Sequence, residues 1–339
     1  MFLMKVITRL IRSKSSGSFF NFMIFLVLFS SGTPSFSQNF SGIDSLKNTS
    51  ANSKTQKKSS ANFYKADSIF SFRSQKGYFP SLMVDFKDQF VAPFKMNYRQ
   101  FIMTGTAIGI TITLFHFDNK IDEWARVQKK DHKWVNKTSP VLTNFGGSLG
   151  VYSVLAAGAL SAICKNEKGV QTSLLATQAM ITSGVWVNII KILTGRERPI
   201  ADYTFSKSAG GTWYGPFAKY DQDLAIRKPV SAFDAFPSGH TATAFSIATV
   251  IATQYEDKKT IPIICYTAAS LVGISRLTEH EHWASDVFVG GLMGYLCGKQ
   301  VVKHYNKTHQ NQQLSAKSKS RREVSFIQDG NQVGLFLRW

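Results

Sequence analysis

The chain has 339 residues, 44% of them hydrophobic and 18% charged, which excludes a disordered protein and allows one sizeable domain with extensions. Lys and Arg number 40 against 21 Asp and Glu, a net charge of +19, so the expected partners are anionic: phosphorylated molecules, membrane headgroups or nucleic acid. Cys164, Cys265 and Cys297 all fall in apolar runs; an odd count at wide spacing fits neither a zinc site nor a disulfide framework, and they read as core residues.

In chain order, Lys5, Arg9, Arg12 and Lys14 precede the apolar stretch FFNFMIFLVLFSS (19–31), and SFSQ (35–38) offers the small residues that a signal peptidase reads. Residues 1–37 are therefore expected to be an export signal cleaved after Ser37, sending the chain to the periplasm or cell envelope. The run is short for a bilayer span, which needs about 20 apolar residues. Residues 38–77 are rich in Ser, Asn, Lys and Thr and read as a flexible polar leader. Residues 78–97 mix aromatics with charges, as a short amphipathic lead-in packed on the main domain would.

Six apolar, helix-length segments follow, at roughly 98–117, 148–164, 171–194, 238–255, 261–275 and 283–304. Strand alternation is absent here, so the fold class expected is all-α, a six-helix antiparallel bundle. Two connections, 118–147 and 195–237, are long, and long connections in a compact domain usually carry function. Residues 306–322 form a polar, basic run, read as a linker or membrane-surface patch. Residues 323–339 alternate apolar and polar around Asp329-Gly330-Asn331 and predict a β-hairpin.

Three stretches carry more functional groups than packing requires. KILTGRERP (191–199) gathers Lys191, Arg196 and Arg198 at a helix end, with Gly195 and Pro199 to stop the helix. AFPSGHTATAF (235–245) sets Ser238 as a helix N-cap, so the free amides of Gly239 and His240 form a pocket for an oxyanion, with the His240 ring facing it. SRLTEHEHWASD (275–286) closes the fifth helix with Arg276 and then spaces His282 and Asp286 by four, one helix face, so that the carboxylate can hydrogen-bond the imidazole and fix its tautomer. His280 and His282 as a metal-ligating pair lack acidic or cysteine partners at suitable spacing. The fourth and fifth helices, each about 16 residues or roughly 24 Å, run out and back, returning the end of one beside the start of the other. One rim therefore collects Lys191, Arg198, Ser238, Gly239, His240, Arg276, His282 and Asp286: a phosphate site with a nucleophile and an acid.

The order K-x6-R-P, P-S-G-H, S-R-x5-H-x3-D resembles the type 2 phosphatidic acid phosphatase (PAP2) family, whose superfamily includes bacterial acid phosphatases and vanadium haloperoxidases. The resemblance covers residues 98–305. It implies that His282 attacks phosphorus to give a phosphohistidine and that Asp286 orients and charges that ring. It further implies that His240 protonates the leaving oxygen and then activates water, while Lys191, Arg198, Arg276 and the amides around Ser238 and Gly239 hold the phosphate oxygens. It implies hydrolysis of a phosphomonoester or pyrophosphate, of a lipid, isoprenoid or soluble molecule, with no metal or other cofactor and with vanadate as a phosphate-mimicking inhibitor; a vanadate-dependent haloperoxidase and a soluble acid phosphatase are the alternatives. Nucleic acid is not an expected partner.

Arg196 could supply an extra phosphate contact but ranks behind the residues that would touch the phosphate, and His280 reads as a pocket-lining residue; His116, His132, His304 and His309 have no partner at catalytic spacing. Trp213, Trp283, Tyr203 and Tyr214 could shape a substrate mouth or simply pack. The Thr, Ser, Gln and Asn content of QTSLLATQAMITSGVWVNII (171–190) suits a protein core better than lipid, so the expectation is a bundle at the membrane surface rather than one wholly inside it.

Overall fold

The computed structural model describes residues 77–200, 210–221, 223–224, 230–321, 323–329 and 332–338. The export signal, all but the last residue of the leader, Tyr203 and the hairpin tip at Gly330 and Asn331 lie outside the described residues. Eight α-helices are described: α1 Tyr78–Val91, α2 Tyr98–Asp131, α3 Lys133–Gly146, α4 Ser148–Ile163, α5 Glu167–Thr194, α6 Gly239–Gln254, α7 Thr260–Thr278 and α8 Ala284–Arg321. Beyond them β1 Glu323–Asp329 pairs antiparallel with β2 Gln332–Arg338, Glu323 opposite Arg338 and Asp329 opposite Gln332.

Each of the six apolar segments lies on one of these helices, but two polar segments are helical as well. Residues 118–147, expected to be a long connection, instead continue α2 to Asp131 and then form α3. The reason is a row of polar groups at helical spacing, Asp118, Asp122 and Arg126, which bond Arg196, His280 and Pro199 elsewhere in the fold, so a helix forms there without an apolar stripe. Helix α8 likewise continues through the basic run after Tyr305, since nothing between Lys299 and Arg321 is a glycine or proline to stop it.

Helix boundaries follow local chemistry. A capping box starts α2, with Gln100 N donating to Asn97 Oδ1 and Asn97 N to Gln100 Oε1, both at 2.9 Å. Gly195 ends α5 in the left-handed region at φ 55°, where a Cβ would stand 2.4 Å from the Gly215 carbonyl oxygen. Between α3 and α4 the chain bends by 54° at Gly147.

Helix α6 is central, packed on α8, α7 and α5. Its seam with α8 is unusually close because Gly290, Gly294 and Gly298, one turn apart, lie against Ser238, Ala242, Ser246 and Thr249. Around it Val187, Ile190, Phe236, Ala242, Val289 and Met293 form one apolar cluster, and Val154, Leu175, Ala179, Val250, Val301 and Val302 belong to a second, further along the bundle.

The outer surface has the opposite polarity from that of a water-soluble bundle. On α5, Thr172, Gln178, Thr182 and Ser183 are buried while Ile181, Val185 and Ile189 are exposed. Helix α1 buries Ser81, Asp85 and Gln89 and exposes Phe79, Met83 and Phe90. Helices α2, α5 and α7 are each long and apolar enough to cross a membrane, and the bent pair α3–α4 would make a fourth crossing. Of the cysteines only Cys297 is buried; Cys164 is exposed at the end of α4, so the reading of all three as core residues is corrected.

Gly294→Ala would place a Cβ 2.2 Å from the Ala242 carbonyl oxygen, and overpacking of that kind costs about 1–3 kcal/mol. Gly184→Ala meets nothing within 4 Å. Thermal unfolding in detergent should show a clear loss for the first and none for the second; equal melting points would contradict the close α6–α8 seam.

Candidate active site

The ends of α5, α6, α7 and α8 are joined by backbone hydrogen bonds between three loops. Arg198 N donates to Ala232 O at 3.0 Å and Ala235 N to Arg196 O at 3.0 Å, tying the loop after α5 to the segment before α6. Ile200 N donates to His280 O at 3.1 Å, tying it to the turn after α7, and Ser238 N donates to Asp286 O at 3.0 Å, tying α6 to α8. These bonds set the positions from which the functional side chains project.

The cations meet two acids. Lys191 Nζ donates to Asp234 O at 2.6 Å and lies 3.7 Å from its Oδ2. Arg198 donates twice to Asp234 Oδ1, from Nε at 2.9 Å and from one terminal nitrogen at 2.7 Å, and its other terminal nitrogen pairs with Glu281. Burial alone would raise the Asp234 pKa, but the charges of Lys191 and Arg198 outweigh it and hold the carboxyl below its ordinary value. Arg276 is engaged more loosely, 3.3 Å from Thr143 Oγ1 and 3.7 Å from Glu281 Oε2, and its buried Nε has no hydrogen-bond partner among the described residues.

His282 is 2% exposed and lies in the turn before α8, not on the helix. The four-residue spacing to Asp286 therefore does not act as a shared helix face. Its Nδ1 donates to Ala235 O at 2.7 Å, while Asp286 Oδ2 is 3.7 Å away, too far for a hydrogen bond. A carbonyl can only accept, so Nδ1 carries the hydrogen and Nε2 keeps its lone pair. The tautomer is thus set by Ala235, correcting the expectation that Asp286 sets it. Asp286 is occupied otherwise: Oδ2 accepts from Trp283 N at 2.8 Å and Oδ1 from Arg196. Burial and the charges of Lys191, Arg198 and Arg276 push the His282 pKa well below the ordinary imidazole value, so the ring is neutral at pH 7.

On the facing side Ser238 caps α6, its Oγ 3.4 Å from Thr241 N and accepting from Thr241 Oγ1 at 2.9 Å. The Gly239 and His240 amides, first in the helix, have no intrahelical acceptor. A Cβ on Gly239 would meet only Val187, at 3.6 Å, so backbone there is open to a close ligand. The His240 ring rests on the α3–α4 bend, where a Cβ on Gly147 would come within 3.1 Å of its Nε2. Burial, then the charges of Arg276, Lys191 and Arg198, lower its pKa to about 4. All eight residues singled out in the sequence thus lie on these joined helix ends, and the same three cations act on both imidazoles.

Three residues here were missed. Asp234, Glu281 and Gly147 carry no motif signal; their roles come from partners far along the chain. Arg196 stands behind the site, as its ranking in the sequence had it. Its Nε donates to Gly210 O at 3.0 Å, one terminal nitrogen to Ser285 Oγ at 2.7 Å and to Asp286, the other to Asp118 Oδ2 at 2.6 Å and to Gly210 O at 2.7 Å. Trp213 and Trp283 pack over its guanidinium, and Tyr214 packs on Phe233, so these rings serve packing. His280 does not line the site but bonds Asp122 at 3.0 Å, and His304 bonds Asp85, distant in the sequence, at 2.7 Å.

Because Asp234 separates two cations, Asp234→Asn should lower the melting point by several degrees, and added inorganic phosphate should restore more of it than it adds to the unaltered protein. An equal phosphate shift in both proteins would mean that these cations do not form an anion site.

The family model of the PAP2 superfamily matches residues 173–310. The lipid A 1-phosphatase of Porphyromonas gingivalis is 43% identical over 75 residues, covering 22% of this chain and 17% of that protein. Lipid phosphate phosphatase 1 of Arabidopsis thaliana is 29% identical over 130 residues, covering 35% of this chain and 39% of that protein. The crystal structure of Aquifex aeolicus LpxE matches with a TM-score of 0.38 and 26% identity, over 53% of this chain and 93% of that one. The chain spans less than half the length of both of these curated relatives. All three motifs, from Lys191 to Asp286, lie inside the segment 173–310 that matches the PAP2 superfamily.

Proposed function

We propose that this protein is a phosphatase that removes phosphate from lipid phosphates through a phosphohistidine on His282, without a metal ion. The observation that carries the reading is the state of His282: a neutral ring whose Nδ1 hydrogen is held by Ala235 O, leaving Nε2 as a nucleophile within the field of three cations. Nε2 attacks phosphorus as the bond to the leaving oxygen breaks, and His240 delivers the proton to that oxygen. His240, then neutral, takes a proton from water, whose oxygen attacks phosphorus and breaks the P–N bond to release phosphate. Lys191, Arg198, Arg276 and the amides of Gly239 and His240 hold the non-bridging oxygens as negative charge builds on them. Asp286, near the ring but not bonded to it, stabilises the cationic imidazole of the intermediate.

Two observations favour a lipid over a soluble substrate. Relatives with matching segments are named lipid A 1-phosphatase and lipid phosphate phosphatase. The exposed apolar side chains of α2, α5 and α7, outside helices whose polar groups point inward, suit acyl chains rather than water. We therefore read α2, α3–α4, α5 and α7 as seated in a bilayer, in place of the surface attachment expected from composition: the Thr, Ser and Gln residues of α5 that suggested a soluble core face the bundle interior.

His282→Ala should lower phosphate release from phosphatidate or lipid A 1-phosphate vesicles by at least about a thousandfold, while EDTA leaves the unaltered enzyme unaffected and vanadate inhibits it. Full turnover by His282→Ala would overturn the mechanism; loss of activity in EDTA would overturn the metal-free reading. Carbonate washing at high pH should leave the protein in the membrane pellet, and release into the supernatant would exclude insertion.

A further inference from the structure

Helix α2 lies outside the segment that matches the superfamily, yet its polar row reaches the site loops at every turn. Asn119 Oδ1 accepts from Gly210 N at 2.6 Å, Asp122 holds His280, and Arg126 donates to Pro199 O at 3.3 Å. The innermost member is Asp118, 0% exposed. Its Oδ2 takes Arg196 at 2.6 Å and Ser285 Oγ at 2.5 Å, and its Oδ1 takes Ser285 N at 2.9 Å. Arg196 in turn grips Asp286, also 0% exposed.

We propose that Asp118 is a positioning residue for the nucleophile, acting through Arg196 on Asp286. The argument is one of charge. In a dry interior a lone Arg196 would neutralise Asp286, leaving no net negative charge beside His282 when its ring becomes cationic. With Asp118 on the far side of the guanidinium, the three groups sum to −1, and the outer carboxylate, 3.7 Å from His282 Nδ1, keeps its pull on the ring. The geometry serves the same end: Asp118 fixes both Ser285 and Arg196, so Asp286 cannot swing toward the Ala235 carbonyl and compete for the Nδ1 hydrogen. The field would act chiefly on the step that charges the ring, because Asp286 stands 3.7 Å from His282 Nδ1 while no atom of the three groups hydrogen-bonds Lys191, Arg198 or Arg276.

This inference rests on the phosphohistidine reading above, and the experiment separates the two. With the full-length enzyme in detergent and a short-chain phosphatidate, Asp118→Asn keeps the shape and removes the charge. The expected result is a kcat at least tenfold lower, a KM within twofold of the original, and weaker inhibition by vanadate, whose trigonal form resembles the charged transition state. Should Asp118→Asn not fold, Ser285→Ala loosens the same contact more gently and should lower kcat two- to fivefold, again at unchanged KM. A folded variant with unchanged kcat, or one whose kcat and KM move together, overturns the role assigned to Asp118. If the unaltered enzyme releases no phosphate at all, it is the phosphatase reading that fails.

Discussion

A guanidinium buried to 1% exposure in a helical bundle is tolerable only if each of its five N–H bonds finds an acceptor. Arg196 meets that requirement with the Gly210 carbonyl, Ser285 and two carboxylates, one from α2 and one from α8, while Phe115, Trp213 and Trp283 cover its faces. The constraint therefore locks α2, α8 and the loop after α5 together before any ligand arrives. Lys191 and Arg198, five and two residues from this anchor, inherit their positions from it.

The small residues at the α6–α8 seam complete the geometry. Glycines at 290 and 294 let the backbones of the two helices approach until Ser238 N bonds Asp286 O. That single bond brings the start of α6, with its free amides and His240, to the start of α8, with His282 one turn back. The site is accordingly a property of helix ends, not of helix faces. Where two helix N-termini converge, their partial positive charges add to those of the three basic side chains, which favours a tetrahedral anion over any neutral guest.

Much of this was legible in the sequence, and the failures have a common cause. The six apolar segments, the N-cap at Ser238, the stop at Gly195 and the gathering of eight functional residues depend on local chemistry: period, capping and spacing. Asp118, Asp234, Glu281 and Gly147 were silent because each acts on a partner far along the chain, and a lone acid or glycine in a polar stretch has no local signature. The same blindness hid the helical character of residues 118–131, where the stripe that faces the bundle is polar. The i,i+4 spacing of His282 and Asp286 suggested the right pair for the wrong reason, since α8 begins only at Ala284 and the carboxylate is spent on Trp283 and Arg196.

The polarity of the outer surface bears on how such a site can work. In water, three cations facing two acids would be heavily screened and their attraction for a phosphate modest. Here the motif residues lie at one end of helices whose exteriors are apolar, and the basic groups are mostly buried, so solvent competes little for the bound anion. The same burial keeps both imidazoles neutral when the site is empty, because further positive charge beside Lys191, Arg198 and Arg276 would be unfavourable. A phosphate dianion placed among the cations would offset that charge and make protonation of His240 more favourable. On the mechanism proposed above, binding the substrate would create the acid of the first step, while the Ala235 carbonyl holds the Nδ1 hydrogen of His282 and leaves Nε2 its lone pair.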